Sequence, residues 1–331
     1  MSMPDFAWSK TDAQAAAAGP RARFAAAVRA GLSRRPQRTL PPQYFYDDLG
    51  SALFEAITHT PEYGLGRADE RLLRLHGGEV GARLRLPLAI AELGSGNGRK
   101  TRQLLAAMDG RRAARYCPID GSAAALARCR EAVAGLAGAV VPIEAGYLEG
   151  LQTAAAARRE AETMLVLFLG GSIGNLDRRA AVEMLAEMRR LLRAGDWLLL
   201  GVDLERRPER LLAAYDDAAG VTAAFNLNLL ARINRELGGR IPLRAFSHVA
   251  RYHAGERRVE MHLEAREAVE VVVEAAGVHD RLQAGETIWT ESSYKYNREE
   301  VRGMAEAAGF ACEAQWLDGE WPFAETLLRA E

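Results

Sequence analysis

The chain predicts an α/β fold, a doubly wound, Rossmann-like parallel sheet carrying an inserted α+β domain. Three observations predict it. The first is a short apolar strand, a glycine turn and a helix start at 89–101, reading A-I-A-E-L-G-S-G-N-G-R-K-T. The second is the alternation of apolar strand segments with helical patterns up to about residue 203, which implies parallel strands joined by right-handed crossovers. The third is a change of pattern after that point, from α/β to a helical stretch followed by strands of antiparallel kind.

Composition bounds the reading. The 331 residues are 49% hydrophobic and 26% charged, enough for one large or two ordinary domains with real cores. Forty-three basic against 44 acidic residues leave a net charge of −1, so no global field draws the protein to nucleic acid or to a membrane. No stretch approaches the roughly 18 to 20 apolar residues of a membrane span. Asp5 and Asp12 interrupt the alanine- and arginine-rich N-terminus, and no signal-like apolar segment follows. A cytoplasmic monomer is expected. Cys117, Cys129 and Cys312 are odd in number and lack C-x-x-C spacing, which argues against a disulfide framework or zinc site. The six histidines form no H-E-x-x-H pair, His248 and His253 read as ordinary core or surface residues, and no metal is called for.

In chain order, a helix is predicted over 13–33, with Phe24, Val28 and Leu32 at four-residue intervals. A proline-bearing extended segment, 34–42, leads to the aromatics Tyr44, Phe45 and Tyr46 and to a short helix whose buried face is Leu49, Leu53, Phe54 and Ile57. Pro61, Glu62 and Tyr63 mark a turn. A helix over 69–84 precedes the glycine corner, and one ending near Met108 follows it. The second strand, 115–119, ends in Asp120, and an alanine-rich helix covers 123–134. Strands are predicted at 140–143, 164–169 and 197–202, the last ending at Asp203, with a helix over 177–192. Residues 210–237 read as mostly helical, and 246–252, 258–265, 269–273 and 286–296 as strands. A capped helix at 297–308 and a strand at 311–317 that rejoins the parallel sheet complete the pattern. The expected division is 67–204 plus 297–331 for one domain and 13–66 plus 205–296 for the other.

Several positions have chemistry suited to a ligand. Gly94, Gly96 and Gly98 permit positive φ and a close backbone approach, and the free N–H groups of the helix start point into the same space. An acid at the end of the second strand, Asp120, stands where the ribose hydroxyls of a nucleotide lie; helix N-capping is its other reading. The G-G-S-I-G-N-L loop at 170–176 sits at the carboxyl edge of the sheet, where open α/β folds bind ligands. Glu291 and Ser293, two apart on a strand, share one face.

A dinucleotide fingerprint would place its third glycine at position 99, which is Arg99; the glycines instead alternate as G-x-G-x-G behind Glu92. That form resembles the first motif of the S-adenosylmethionine-dependent methyltransferases. Further segments, L-P-P-Q-Y-F-Y-D-D-L-G-S, P-E-Y, F-L-G-G-S-I-G-N-L, A-Y-D-D-A-A-G-V-T-A-A-F-N, N-R-E-L, V-E-M and T-E-S-S-Y-K-Y, occur in order over nearly the whole chain. Together they resemble the histidine N-alpha-methyltransferases of ergothioneine biosynthesis, which convert histidine to its trimethylated betaine.

The resemblance implies a class I methyltransferase domain with an inserted substrate-binding domain, S-adenosylmethionine as cofactor and S-adenosylhomocysteine as product. It implies cofactor contacts at Tyr46, Gly94, Ser95, Lys100 and Asp120, with Tyr147 able to stack or hydrogen-bond. An amino-acid pocket is implied at Tyr63, Gly170, Asn175, Tyr215, Met261, Glu291 and Ser293, with Tyr46 and Tyr63 shaping the path of the methyl group. The chain departs from the family at one point: Gly146 stands where an aspartate normally holds the adenine. Two alternatives stay open, α-N-methylation of another amino acid such as tryptophan, and a cofactor-binding protein without catalysis.

Overall fold

The computed structural model describes residues 19–108 and 113–331. They form two compact units, one of 19–64 with Arg206–Tyr294, the other of the described residues of Leu65–Glu205 with Lys295–Glu331. Positions 13–18 of the predicted N-terminal helix lie outside the described residues; its remainder is α1, Pro20–Leu32, with Phe24, Val28 and Leu32 buried.

The second unit holds an eight-stranded sheet. Its strands are β2 (Leu88–Leu93), β3 (Ala113–Asp120), β4 (Ala137–Val140), β5 (Ile143–Glu144), β6 (Thr163–Phe168), β7 (Trp197–Asp203), β14 (Phe310–Leu317) and β15 (Phe323–Ala330). The order is β14-β15-β7-β6-β2-β3-β4, with β5 paired to β3. Strands β4, β3, β2, β6 and β7 run parallel, as strands buried on both faces do. Every residue of β2 and β7 is buried.

The C-terminal strand pairing differs from expectation. The strand at 311–317 reaches the parallel sheet only through β15, which pairs antiparallel with both β14 and β7. The expected single strand at 140–143 is two short ones, β4 and β5, because Pro142 has no N–H to give the ladder. Helices α3 (Leu65–Arg83), α4 (Arg99–Ala107), α5 (Ala123–Ala132), α6 (Tyr147–Ala156), α7 (Arg178–Leu191) and α10 (Arg298–Ala307) belong to this unit. Leu73, Val80, Leu104, Tyr116, Leu165, Leu199 and Leu327 belong to its apolar core. Asn297 caps α10 in a reciprocal box with Glu300, as the N-R-E-E sequence predicts.

In the first unit, β1 (Arg38–Thr39), β13 (Thr287–Tyr294), β10 (Arg258–Ala265) and β9 (Phe246–His253) form one sheet in that order. A smaller sheet has the order β12 (Val278–Leu282), β11 (Val269–Val273) and β8 (Gly239–Arg240). The helical stretch 210–237 is α8 (Pro208–Tyr215) and α9 (Val221–Leu237), separated at Gly220, whose φ of 74° only glycine adopts easily. The aromatic run precedes α2 (Asp48–His59), whose buried face differs from the predicted one at Leu49. Leu49 is 53% exposed. A Cβ at Gly50 would stand 1.7 Å from the Phe45 carbonyl oxygen, so the stripe runs Gly50, Leu53, Phe54, Ile57 and turns Leu49 outward.

Candidate active site

The glycine corner closes β2. Gly94, Gly96 and Gly98 have φ of 70°, 53° and 73°, the left-handed region that disfavours other residues. A Cβ at Gly98 would meet Cys129 Sγ at 2.8 Å, whereas one at Gly96 would meet nothing within 4 Å. Gly98 therefore packs the corner onto α5, and Gly96 faces open space. Ser95 is buried, with its hydroxyl against the Cys129 thiol.

Asp120 is built into the same corner. Its Oδ2 accepts from the Gly96 amide at 3.0 Å and its Oδ1 from the Ser122 amide at 3.0 Å. Burial raises its pKa, against the lowering effect of those amides. With the Gly121 amide also reaching the carboxylate, about three of four acceptor positions are used, which leaves capacity for a hydroxyl. Ser122, not Asp120, caps the following helix, which removes the competing reading.

Tyr147 begins α6 and packs edge-on against Phe168 with ring centroids 5.5 Å apart. Its hydroxyl would lie 3.0 Å from a Cβ on Gly94, so the ring stands directly beside the corner. Burial, then the nearby Asp120 charge, push its pKa up to about 12, and a hydrogen bond with Ser172 opposes this. Tyr147 is thus a neutral hydroxyl at physiological pH.

Behind the corner, Thr101 Oγ1 and Tyr116 OH both donate to Glu92 Oε2. Burial raises the Glu92 pKa to about 7, although both donors and Lys100 pull it down. Lys100 itself pairs with Asp69 Oδ2 at 2.9 Å. Burial alone would lower its pKa, but the Asp69 charge and hydrogen bond leave it raised. Gly170, with φ of 75°, donates its amide to the same Asp69 oxygen at 3.0 Å. Lys100 and Gly170 thus meet on one carboxylate, and Asn175 ends the short 3-10 turn Ser172–Asn175 that follows.

The first unit holds the other candidates. Tyr46, Phe54 and Tyr63 form a chain of edge-on rings, at 5.6 and 6.3 Å between centroids, and Phe225 packs on Tyr46 and Phe54. Tyr46 is 45% exposed and Tyr63 is buried. Met261 lies opposite Glu291 across β10 and β13, beside a register shift between Met261 and His262. Ser293 pairs with Val259 in the same ladder, and the Tyr215 hydroxyl donates to Ser293 Oγ at 2.7 Å. Tyr46 is the one expected cofactor contact in this unit; Gly94, Ser95, Lys100, Asp120 and Tyr147 are in the other, as are Gly170 and Asn175.

His248, expected to be an ordinary residue, holds Tyr215 in place. Thr290 Oγ1 donates to Asn226 Oδ1 at 2.8 Å, which turns the Asn226 amide nitrogen to His248 Nδ1 at 2.9 Å. Nδ1 then accepts, and Nε2–H donates to the Tyr215 carbonyl at 2.8 Å. Burial, first among its causes, lowers the His248 pKa and keeps this neutral form, with Tyr215, Asp216 and Asp217 opposing. Nothing in the local sequence announces the link, since Asn226 and His248 lie on different elements. Among the described residues no group of three or more metal-binding side chains occurs, and no helix is long and apolar enough to cross a membrane.

Comparison with known proteins covers nearly the whole chain. A family model described as histidine-specific, S-adenosylmethionine-dependent methyltransferase matches residues 24–330. A histidine N-alpha-methyltransferase of Mycolicibacterium smegmatis is 41% identical over 302 residues, 91% of this chain and 92% of that protein. Its namesake from Mycobacterium tuberculosis is 39% identical over 304 residues, with the same coverage of both chains. Ergothioneine biosynthesis protein 1 of Neurospora crassa is 31% identical over 295 residues, 85% of this chain and 32% of that longer protein. The match spans both units, and the chain belongs to the family of histidine-specific, S-adenosylmethionine-dependent methyltransferases.

Proposed function

We propose that this enzyme transfers methyl groups from S-adenosylmethionine to the α-amino group of L-histidine, three in succession, giving the betaine hercynine of the ergothioneine pathway. The observation that carries the reading is the strand pair in which Met261 faces Glu291 next to the Ser293–Tyr215 hydrogen bond. An imidazole has two ring nitrogens, and a carboxylate with a neighbouring hydroxyl can engage both. The Tyr215 hydroxyl, donating to the Ser293 oxygen, orients the Ser293 side chain. An indole has one donor and no use for a second polar partner, so this pair favours histidine over tryptophan.

The residues of the glycine corner fit the cofactor. Open space at Gly96, spare acceptor capacity on Asp120 and the Tyr147 ring suit a ribose and an adenine, while Gly94, Ser95 and Lys100 line the turn. When bound, S-adenosylmethionine supplies an electrophilic methyl group for direct displacement and leaves as S-adenosylhomocysteine. What the chain contributes is positioning, which supplies most of the acceleration in such a step. In the parallel-sheet unit we assign amino-acid contacts to Gly170 and to Asn175, whose amide is a neutral donor suited to a carboxylate. In the other unit we assign them to Tyr63 and to Tyr215, whose proton goes to Ser293 Oγ and orients that hydroxyl, with the Tyr46 and Tyr63 rings suited to shaping the approach of an amine. We assign cofactor binding to the unit with the parallel sheet, amino-acid recognition mainly to the other, and activity to a cytoplasmic monomer.

The test is incubation with S-adenosylmethionine and an equimolar amino-acid mixture, followed by mass analysis. Gain of three methyl groups on histidine alone is expected. Gain on tryptophan instead would reassign the pocket, and cofactor binding without gain anywhere would leave a binding protein.

A further inference from the structure

Beneath the Gly170 loop lies a group of charges that the methyl transfer does not use. Asp69 is fully buried and Glu325 is 2% exposed. Asp69 Oδ2 is occupied twice, by Lys100 Nζ at 2.9 Å and by the Gly170 amide at 3.0 Å. Asp69 Oδ1 and both oxygens of Glu325 are buried, and no donor from another residue reaches them. The two carboxyl groups are nevertheless hydrogen-bonding neighbours. Room for this comes from Gly201 on β7, where a Cβ would stand 2.7 Å from Glu325 Oε1 and 3.2 Å from the Gly170 nitrogen.

Three acceptor oxygens without donors, in contact and out of water, are untenable as two carboxylates. Two like charges at such a separation cannot both ionise, and an unpaired buried acceptor is costly. A single proton removes the second charge and gives Asp69 Oδ1 a donor, and leaves only one neutral carbonyl oxygen of Glu325 without a partner. We infer that Asp69 and Glu325 share one proton, carried on Glu325 and donated to Asp69 Oδ1, and that the pair is the positioning element that fixes Lys100 and the Gly170 amide. Burial, followed by the neighbouring Asp69, also pushes Glu325 well above the ordinary carboxyl range, with Lys100 opposing. The charged groups acting on the pair are Lys100 and, on β2, Glu92. With Glu325 neutral, Asp69 and Lys100 balance, and neither the lysine head nor the loop amide is drawn elsewhere. That these two groups belong to the ligand site rests on the reading above; the shared proton does not.

Infrared spectra and S-adenosylhomocysteine titrations of the full chain test this. Above pH 8, where Glu92 has ionised, the wild type still shows the carbonyl stretch of a buried protonated carboxyl, and Glu325→Gln loses it. Glutamine still donates to Asp69, so Glu325→Gln binds S-adenosylhomocysteine within about threefold of wild type, whereas Glu325→Ala, which leaves the acceptor unpaired, weakens binding about tenfold or more. Toward alkaline pH the affinity of the wild type falls relative to Glu325→Gln, a ratio from which Lys100's own titration cancels. Absence of the band from the wild type overturns the proposal, as does equal binding by all three proteins. If the band behaves as stated but histidine gains no methyl group, the substrate assignment fails and the shared proton stands.

Discussion

The Tyr215 hydroxyl donates to Ser293 Oγ at 2.7 Å, while the carbonyl of Tyr215 accepts from His248 Nε2 at 2.8 Å. One residue at the end of α8 is thereby held at both its backbone and its tip, and a side chain held in this way presents its hydroxyl at one place. Tyr215→Phe keeps the ring and removes one neutral hydrogen bond, about 1 kcal/mol. The expected result is a KM for histidine raised about fivefold with kcat within about twofold. Steady-state kinetics with varied histidine at saturating S-adenosylmethionine measure the split.

On the proposed reading Glu291 carries the discrimination. A hydrogen bond to a charged acceptor contributes about 1.5–3 kcal/mol, so Glu291→Gln should lower kcat/KM for histidine by about 10- to 150-fold. Methylation of tryptophan, which gains nothing from the anion, should change little. Competition between the two amino acids in one reaction, followed by mass, gives the ratio directly; an unchanged preference would remove Glu291 from the pocket.

How much of this could be read beforehand depended on whether the chemistry was local. Gly94, Gly96, Gly98 and Asp120 were legible because a turn needs positive φ and because an acid at a strand end is conspicuous. Glu291 and Ser293 were legible as alternate residues of one strand. Asp69 and Glu325 were not, since one lies within a helix and the other on β15, a segment whose F-A-E-T-L-L-R-A pattern lacks alternation because the strand is buried on both faces. The Asp318–Gly319 dipeptide ahead of it was an available hairpin signal. His248 could not be told from any other half-buried histidine, because its role is set by Asn226 and Thr290.

Glu92 gives the stability a pH dependence of definite sign. Its folded pKa, about 7, exceeds the ordinary value of 4.5. Between those limits the folded state holds more protons than the unfolded one, so stability falls as pH rises through the window. The full effect is at most about 3 kcal/mol. Urea midpoints at pH 5, 6, 7 and 8 should show this decline in the wild type, and Glu92→Gln should flatten it. A wild-type midpoint that rises steadily from pH 5 to 7 and is unaffected by Glu92→Gln would contradict the assignment.

Lys295 and Asp203 form an ion pair, 2.8 Å apart, with side chains 0% and 3% exposed. Trp321 Nε1 also donates to Asp203, at 3.3 Å. Lys295→Met takes the ammonium from a buried carboxylate and should cost about 3–5 kcal/mol of unfolding free energy. The double variant Lys295→Met with Asp203→Leu should recover most of that loss, since an apolar pair of similar size avoids the desolvation of both ions. A denaturation cycle over the four proteins measures the coupling.

Gly146 stands where the resemblance implies an aspartate, and the structure indicates how an aspartate would fit there. The residue precedes α6 at the N-cap position with φ of −68° and ψ of 164°, it makes no side-chain cap, and a Cβ would meet nothing within 4 Å. Gly146→Asp therefore fits without strain. Its carboxylate can accept from the first-turn amides, which adds only a few tenths of a kcal/mol over glycine, and can offer an acceptor to the adenine amino group beside Tyr147. The expected outcome is a dissociation constant for S-adenosylmethionine several-fold lower, read by calorimetry, with a stability change too small to account for it. Tighter binding of adenosine as well as of S-adenosylmethionine would locate the gain at the base; tighter binding of neither would mean that the adenine is held away from position 146 in this protein.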